Sequence, residues 1–143
     1  MSRSLRVSAG QPVIIDSSVV FKWFDTTESG AEAAEELLDA HGRDEIVLIA
    51  PAHLPLEVVN AHAGRGAPLW RLIEVVQDLS TADLLIVAVD DELLVEAARI
   101  ACEGRIALHD AAFIALAVRL DAELVTADRR QASTTACKVR LIQ

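Results

Sequence analysis

Short runs of aliphatic and β-branched residues alternate with longer amphipathic segments along this chain, and this alternation constrains its fold more than any other feature. Each run is long enough for one buried strand, and the segments between the runs have helical spacing of their apolar residues. Strands that alternate with helices favour a parallel sheet with helices on both faces. The sequence therefore predicts a three-layer α/β/α sandwich with a central, mostly parallel sheet, formed as one domain over residues 1–143.

The individual elements follow from the same patterns. A short helix is expected directly after the first strand, where Ser17 and Ser18 can cap it. The predicted strands are residues 13–15, 46–50, 84–89, 124–126 and 139–142. The other predicted helices are residues 31–41, 53–62, 68–79, 91–103 and 109–120.

Composition and charge narrow the classes of protein that fit. Hydrophobic residues make up 52% of the chain and aromatic residues only 3%, so the core is aliphatic, as in a buried parallel sheet. The net charge of -9 argues against an extended basic surface that binds nucleic acid through many phosphates. Residues 1–11 lack the apolar stretch of a secretory signal, and the longest apolar run, 84–89, is too short to span a bilayer. We therefore expect a cytoplasmic protein without a membrane segment.

Four carboxylates occupy positions where solvent-exposed acids are not expected. Asp16 closes the first predicted strand, and Asp128 follows the fourth. Glu57 and Asp110 each share a helical face with apolar residues three and four positions away. A carboxylate at such a position is unfavourable to bury unless it is paired or bound to a metal. The carboxyl ends of the strands in an open α/β sheet also form the crevice in which ligands bind.

These four acids predict a metal site if they converge. Two carboxylates about 4 Å apart repel each other by roughly 4 kcal/mol at an effective dielectric constant near 20. The chain has only Lys22 and Lys138 as lysines, so lysine cannot neutralise all four. Mg²⁺ or Mn²⁺ is the expected metal because both favour oxygen ligands, whereas no Cys or His cluster suggests zinc. Taken singly, Asp16 and Asp110 are equally well explained as helix caps.

The segments around the four acids resemble the sequence motifs of the PIN domain family, in the order in which that family has them. These segments are VIIDSSV with Lys22 and Trp23, LEVVNA, HDAAFIALA and LVTADRR, which begin at residues 13, 56, 109 and 124. The chain length resembles the toxin half of VapBC toxin–antitoxin pairs. The resemblance implies an endoribonuclease that cleaves structured or messenger RNA with Mg²⁺ or Mn²⁺. It also implies that the metal-binding and catalytic acids are Asp16, Glu57, Asp110 and Asp128.

The resemblance extends to partners and to further residues. It implies a homodimer and a small antitoxin protein that directs a basic residue toward the acids. His109 stands where the family more often has Tyr or another residue. Residues that orient the acids, or equally well cap and pack, are Thr126, Ser17 and Asn60. The candidate phosphate contacts, which adjoin the acids in sequence, are Lys22, Arg129 and Arg130.

Two alternative functions suit an acidic α/β domain. A phospho-receiver signalling domain also holds Mg²⁺ in an acidic pocket, but it needs a second acid near the first and a Lys that ends the last core strand. Here Asp16 is flanked by Ile15 and Ser17, and Lys138 precedes its predicted strand. The other alternative is a PIN-fold module that binds without catalysis, which the presence of all four acids disfavours.

Overall fold

The structure is a computed structural model that describes residues 10–143. Residues 1–9, on which the expectation of no secretory signal mainly depends, lie outside the described part of the chain. The strands are β1 (Gln11–Ile15), β2 (Ile46–Pro51), β3 (Leu85–Val87), β4 (Glu123–Thr126) and β5 (Val139–Leu141). The helices are α1 (Ser17–Val20), α2 (Ala31–Gly42), α3 (Leu54–Gly64), α4 (Leu69–Ala82), α5 (Asp91–Gly104), α6 (Leu108–Leu120) and α7 (Arg129–Ala132).

The five strands form one sheet in the order β3-β2-β1-β4-β5, and every described pairing is parallel. The chain runs from β1 to β2 to β3 in one direction and then crosses to β4 on the other side of β1. Because such crossovers are right-handed, the helices of the first two connections cover one face and α5, α6 and α7 cover the other. The predicted three-layer α/β/α sandwich is therefore confirmed, with a parallel rather than a mixed sheet.

The core is aliphatic, as the composition predicts, and α6 lies at its centre. This helix contacts β1, β2 and β4, and α5 packs along it. All seven residues from Ala111 to Ala117 are buried, which is typical of a helix enclosed on every side. Asp110 immediately precedes this buried run, so packing of α6 holds that carboxylate at a fixed place beside the sheet.

Most predicted elements agree with the structure to within three residues, and the cap of α1 is the main correction. Asp16 has an extended backbone, and its carboxylate accepts a hydrogen bond from the Ser18 backbone N at 3.3 Å. The N-cap of α1 is therefore Asp16, and neither Ser17 nor Ser18 has that role. Among residues 10–143, no helix has both the length and the apolar character needed to cross a membrane.

Candidate metal centre

The four predicted acids line a single cavity of about 900 Å³ at the carboxyl edge of the sheet. In the sheet, β1 lies between β2 and β4. The connections that follow β1 and β4 cover opposite faces of the sheet, and a crevice opens between them at the carboxyl ends of these two strands. Asp16 directly follows β1, and its backbone N donates to Val125 O of β4 at 3.0 Å. Asp128 follows β4, while α3 supplies Glu57 and α6 supplies Asp110. The structure therefore brings all four acids, from four separate parts of the chain, to the lining of one cavity.

Asp16 is the most buried of these acids, with 3% of its surface exposed. Its Oδ2 atom accepts hydrogen bonds from Ser18 Oγ at 2.5 Å and from Thr126 Oγ1 at 3.1 Å. Its Oδ1 atom is buried and has no hydrogen-bond partner among the residues that the structure describes. Burial raises the pKa of Asp16 to about 6, although the bonds from Ser18 and Thr126 lower it. A buried acceptor without a donor is unfavourable, and a bound cation would satisfy it.

Thr126 and Ser18 fasten the two strand ends that carry Asp16 and Asp128. The buried Thr126 hydroxyl accepts from the Asp128 backbone N at 3.0 Å as well as contacting Asp16. Ser18 Oγ accepts from the Ala127 backbone N at 3.0 Å. Thr126 therefore supports both acids, whereas the serine that bonds to Asp16 is Ser18 and not the predicted Ser17.

Gln131 is a supporting residue that the sequence analysis missed. It is 1% exposed, its Oε1 lies 2.9 Å from Thr126 Oγ1, and its Nε2 donates to Asp110 O at 2.9 Å. It therefore links the β4 end to the first turn of α6. The sequence offered one signal, which is that Gln131 lies on the first helical turn after Asp128. A polar residue at such a position is ordinarily solvent-exposed, so its burial was not expected.

Glu57 and Asp110 meet around a histidine. The Nδ1 atom of His109 lies 2.6 Å from Glu57 Oε2 and 3.3 Å from Asp110 Oδ1. The Oε1 atom of Glu57 is buried without a hydrogen-bond partner in residues 10–143. Burial raises the pKa of Asp110, and the negative charge of Asp128 raises it further. Asp128, which caps α7 by accepting from the Arg130 backbone N at 2.9 Å, is thus close enough to Asp110 to repel it.

Two histidines join the acids, and the sequence analysis assigned neither to the site. His109 precedes Asp110 on α6, and His53 lies four residues before Glu57, the spacing that places two side chains on one helical face. His53 Nε2 lies 2.9 Å from His109 O and 3.8 Å from Glu57 Oε1. Histidines therefore lie beside the acids, and of the two only His109 falls in a group with the spacing of metal ligands.

The cationic side chains are arranged differently from the prediction. Lys22 lines the cavity but is buried, and its Nζ binds Glu28 Oε1 at 3.1 Å and Ser29 O at 2.6 Å. Arg129 and Arg130 are exposed residues of α7 that do not line this cavity. Arg130 is nevertheless close enough to Asp110 for its positive charge to lower the pKa of that carboxyl group.

Arg65 lines the cavity instead, although the sequence analysis did not assign it a role. Its guanidinium group lies over the Phe21 ring, 4.3 Å from the centroid. It also lies 3.6 Å from Asp25 and 3.5 Å from Glu28. Asn60, predicted as a possible supporting donor, is an exposed residue of the cavity wall.

The donor set fits a divalent cation. Carboxylates from four chain segments face one cavity, and the described residues leave Asp16 Oδ1 and Glu57 Oε1 without hydrogen-bond donors. Ligand atoms of Glu57, His109 and Asp110 lie within 4.8 Å of one another. Converging carboxylates of this kind repel one another unless they take up protons or a cation.

The acidic centre lies where the strand order reverses, between β1 and β4 of a parallel sheet with helices on both faces. Comparison with known families identifies the class of domain that has this arrangement. The PIN domain family model matches residues 13–136. The chain therefore belongs to the PIN domain family. This membership rejects the phospho-receiver alternative. No curated protein matches the chain.

Solved structures share this fold at low sequence identity. VapC20 from Mycobacterium tuberculosis, described as a sarcin–ricin loop cleaving toxin, aligns with a TM-score of 0.72 at 14% identity, covering 90% of this chain and 98% of that one. VapBC2 from Rickettsia felis, bound to promoter DNA, gives 0.71 at 9% identity, covering 93% and 100%. A toxin–antitoxin complex from Klebsiella pneumoniae gives 0.64 at 15% identity, covering 88% and 98%. At these identities the likeness establishes the fold.

Proposed function

We propose that this protein is a metal-dependent endoribonuclease of the VapC toxin type, which hydrolyses RNA phosphodiester bonds with Mg²⁺ or Mn²⁺ in the cytoplasm. The observation that carries the proposal is the buried Asp16 carboxylate, whose Oδ1 atom is without a donor among the described residues and lies at a cavity shared with three more acids. The fold neighbours support it, since one of them is described as a toxin that cleaves the sarcin–ricin loop.

The residues proposed to hold the cation and carry catalysis are Asp16, Glu57, Asp110 and Asp128. When bound, a divalent cation supplies Lewis-acid activation of water and of the phosphate. The chain itself supplies the orientation of the ligands. Ser18 and Thr126 hold Asp16 Oδ2 and so leave Oδ1 available to the cavity. Gln131 fixes the start of α6 and therefore the place of Asp110.

One cationic side chain in the cavity wall is available to bind the phosphate backbone of RNA. Lys22 is buried and paired with Glu28, whereas Arg65, which also lies near Glu28 and Asp25, is in the cavity wall with 61% of its side chain exposed. We infer that Arg65 contacts the phosphate backbone and that its stacking on Phe21 orients the guanidinium group. With a net charge of -9, this local contact carries more of the RNA affinity than any extended basic surface.

The proposal predicts metal-dependent cleavage with a defined product. Protein freed of metal by EDTA and then dialysed should leave RNA intact, and Mg²⁺ or Mn²⁺ should restore cleavage. Because water is the proposed nucleophile, the products should carry 5′-phosphate and 3′-hydroxyl ends. The ends are identified by labelling and phosphatase treatment after gel separation.

A substrate with a 2′-O-methyl group at the cleaved nucleotide is the matched control. It cannot form a 2′,3′-cyclic phosphate, yet it retains the bond that water attacks, so we expect its cleavage to persist. Cyclic phosphate ends, or equal cleavage in EDTA, would contradict the proposed chemistry. An absence of any cleavage would favour the non-catalytic binding module.

The exposed apolar surface supports the proposed protein partners. Four exposed side chains follow one another along α4, and we call them the α4 surface: Leu69, Trp70, Ile73 and Val76. Such contiguous apolar exposure is typical of interaction sites. Two fold neighbours are a VapBC pair and a toxin–antitoxin complex. We infer that the protein forms a homodimer and binds a small VapB-like antitoxin.

Light scattering tests the dimer. We expect a mass twice that of the 15.4 kDa chain, and we expect Trp70→Glu to shift the population toward the monomer because it places a charge in the α4 surface. Leu120→Glu, an exposed leucine of α6 outside that surface, is the control and should leave the mass unchanged. A wild-type protein that remains monomeric at about 100 µM, well above the Kd of a stable dimer, would contradict the inference.

A further inference from the structure

The imidazole of His109 lies between two of the proposed metal ligands. Its Nδ1 atom is 2.6 Å from Glu57 Oε2 and 3.3 Å from Asp110 Oδ1. At metal–ligand bonds of about 2.1 Å, neighbouring ligand atoms in an octahedral shell are about 3 Å apart. The two distances lie on either side of that spacing, so small shifts would allow one cation to contact all three side chains.

We propose that His109 is a nitrogen ligand of the bound cation and makes this site prefer first-row transition-metal ions to Mg²⁺. The proposal rests on the proposed function, because it concerns the same metal centre. Beyond the four acids, the proposal adds His109 as a metal ligand and specifies which class of cation the site prefers.

A structural ion pair alone does not account for this arrangement. The His109 side chain is 58% exposed, and an ion pair with that exposure contributes little to stability. It also leaves Glu57 Oε1 and Asp16 Oδ1 without donors among the described residues. Asp16, which is 3% exposed, lines the same cavity as His109. A cation bound by Glu57, His109 and Asp110, whose ligand atoms lie within 4.8 Å of one another, would give the imidazole a role that the ion pair alone does not.

His53 is a less suitable ligand, although it lies in the same cavity wall. Its Nε2 atom is 2.9 Å from His109 O, which fixes that nitrogen as the protonated donor. The same atom lies 3.8 Å from Glu57 Oε1, and the ring packs against Phe113 with centroids 5.0 Å apart. The acceptor of His53 Nε2 is a backbone carbonyl, so coordination through this nitrogen would leave that carbonyl without its donor. The proton on His109 Nδ1 is instead shared with the Glu57 carboxylate, and a cation that binds both groups displaces it. His53 therefore positions the backbone of His109 and serves as a matched control for it.

A mixed set of oxygen and nitrogen ligands determines which metals bind well. Mg²⁺ strongly prefers oxygen and retains several waters, whereas imidazole is a good ligand for iron, nickel and zinc. Affinities for nitrogen-containing sites rise from Mn²⁺ through Co²⁺ and Ni²⁺. Losing the imidazole should therefore weaken binding of the transition-metal ions while changing Mg²⁺ affinity little.

The test uses Mn²⁺ as a paramagnetic probe on the full chain. Electron spin echo envelope modulation of the Mn²⁺-loaded wild type should show ¹⁴N coupling from a coordinated imidazole. We expect that coupling to be absent in His109→Gln and retained in His53→Gln. Calorimetry should show Mn²⁺ affinity at least about tenfold lower in His109→Gln, as for other perturbed metal sites, with Mg²⁺ affinity changed by less than about threefold.

Three results would overturn the assignment, and the first needs no variant. Mn²⁺ bound to the wild type without ¹⁴N coupling would show that no histidine is a ligand, while leaving the proposed nuclease function intact. Coupling that survives in His109→Gln and disappears in His53→Gln would assign the ligand to the other histidine. Failure of the wild type to bind Mn²⁺ at millimolar concentration would contradict the metal centre itself, and the proposed function with it.

Discussion

Asp16→Asn is expected to lower the rate of RNA cleavage by at least roughly 10³-fold, because it removes a charged metal ligand at the centre of the site. The fold should survive the change. The Asn oxygen can accept the bonds that Ser18 and Thr126 donate to Asp16 Oδ2, and the uncharged amide group then replaces Oδ1. Initial cleavage rates and thermal melting of the two purified proteins measure both effects.

Glu36→Gln is the matched control for that substitution. Glu36 lies on the exposed face of α2, away from the cavity lining, and the change removes the same charge. We expect it to change neither the cleavage rate nor the Tm. Expression in cells gives a parallel measurement, since growth arrest should accompany wild type and Glu36→Gln but not Asp16→Asn.

The second large effect concerns stability and pH in the absence of metal. Burial raises the pKa of Asp16 from 3.8 to about 6 in the folded protein, so the folded state binds this proton more tightly than the unfolded state. The stability contributed by the proton is fully present below pH 3.8 and is lost as pH rises through about 6. A shift of this size corresponds to about 3 kcal/mol. As the pH rises from below 3.8 to above 6, the free energy of unfolding of the metal-free wild type should therefore fall by about 3 kcal/mol relative to that of Asp16→Asn.

Urea unfolding in EDTA at several pH values measures this difference. Asp110, whose pKa is also raised by burial, is present in both proteins, so the difference reports Asp16 together with its repulsion of Asp110. We expect the free energies of unfolding to converge at acidic pH and Asp16→Asn to be the more stable protein at pH 7. Saturating Mn²⁺ should remove the deficit of the wild type, because a ligand that binds only the folded state stabilises it. Parallel pH profiles for the two proteins would contradict the burial of an ionisable Asp16.

The sequence predicted the four acids and their common edge because regular spacing carries that information. Asp16 and Asp128 follow apolar runs that became β1 and β4, and parallel strands place their carboxyl ends together. Asp110 shares its helical face with residues that are buried, whereas on the Glu57 face Leu54 is buried and Ala61 is exposed. Periodicity within each element was enough to indicate that these carboxylates point inward.

The supporting residues could not be predicted in the same way, because contacts between distant segments define them. Ser18 reaches Ala127 across 109 positions, and Gln131 reaches Asp110 across 21. The phosphate contacts were predicted from proximity in sequence, and for Arg129 and Arg130 they stay predictions, since both are exposed residues of α7 outside the cavity lining. His109 joins the acids only once the fold brings the first turn of α6 within reach of Glu57 on α3.

The most direct test of the metal-dependent nuclease site compares wild type and Asp16→Asn in one assay. Both proteins are stripped with EDTA, dialysed and incubated with the same RNA before and after addition of Mn²⁺. We predict that Mn²⁺ restores cleavage only in the wild type, while both proteins show the same far-ultraviolet circular dichroism. Cleavage by Asp16→Asn at the wild-type rate would show that these acids do not form the active site.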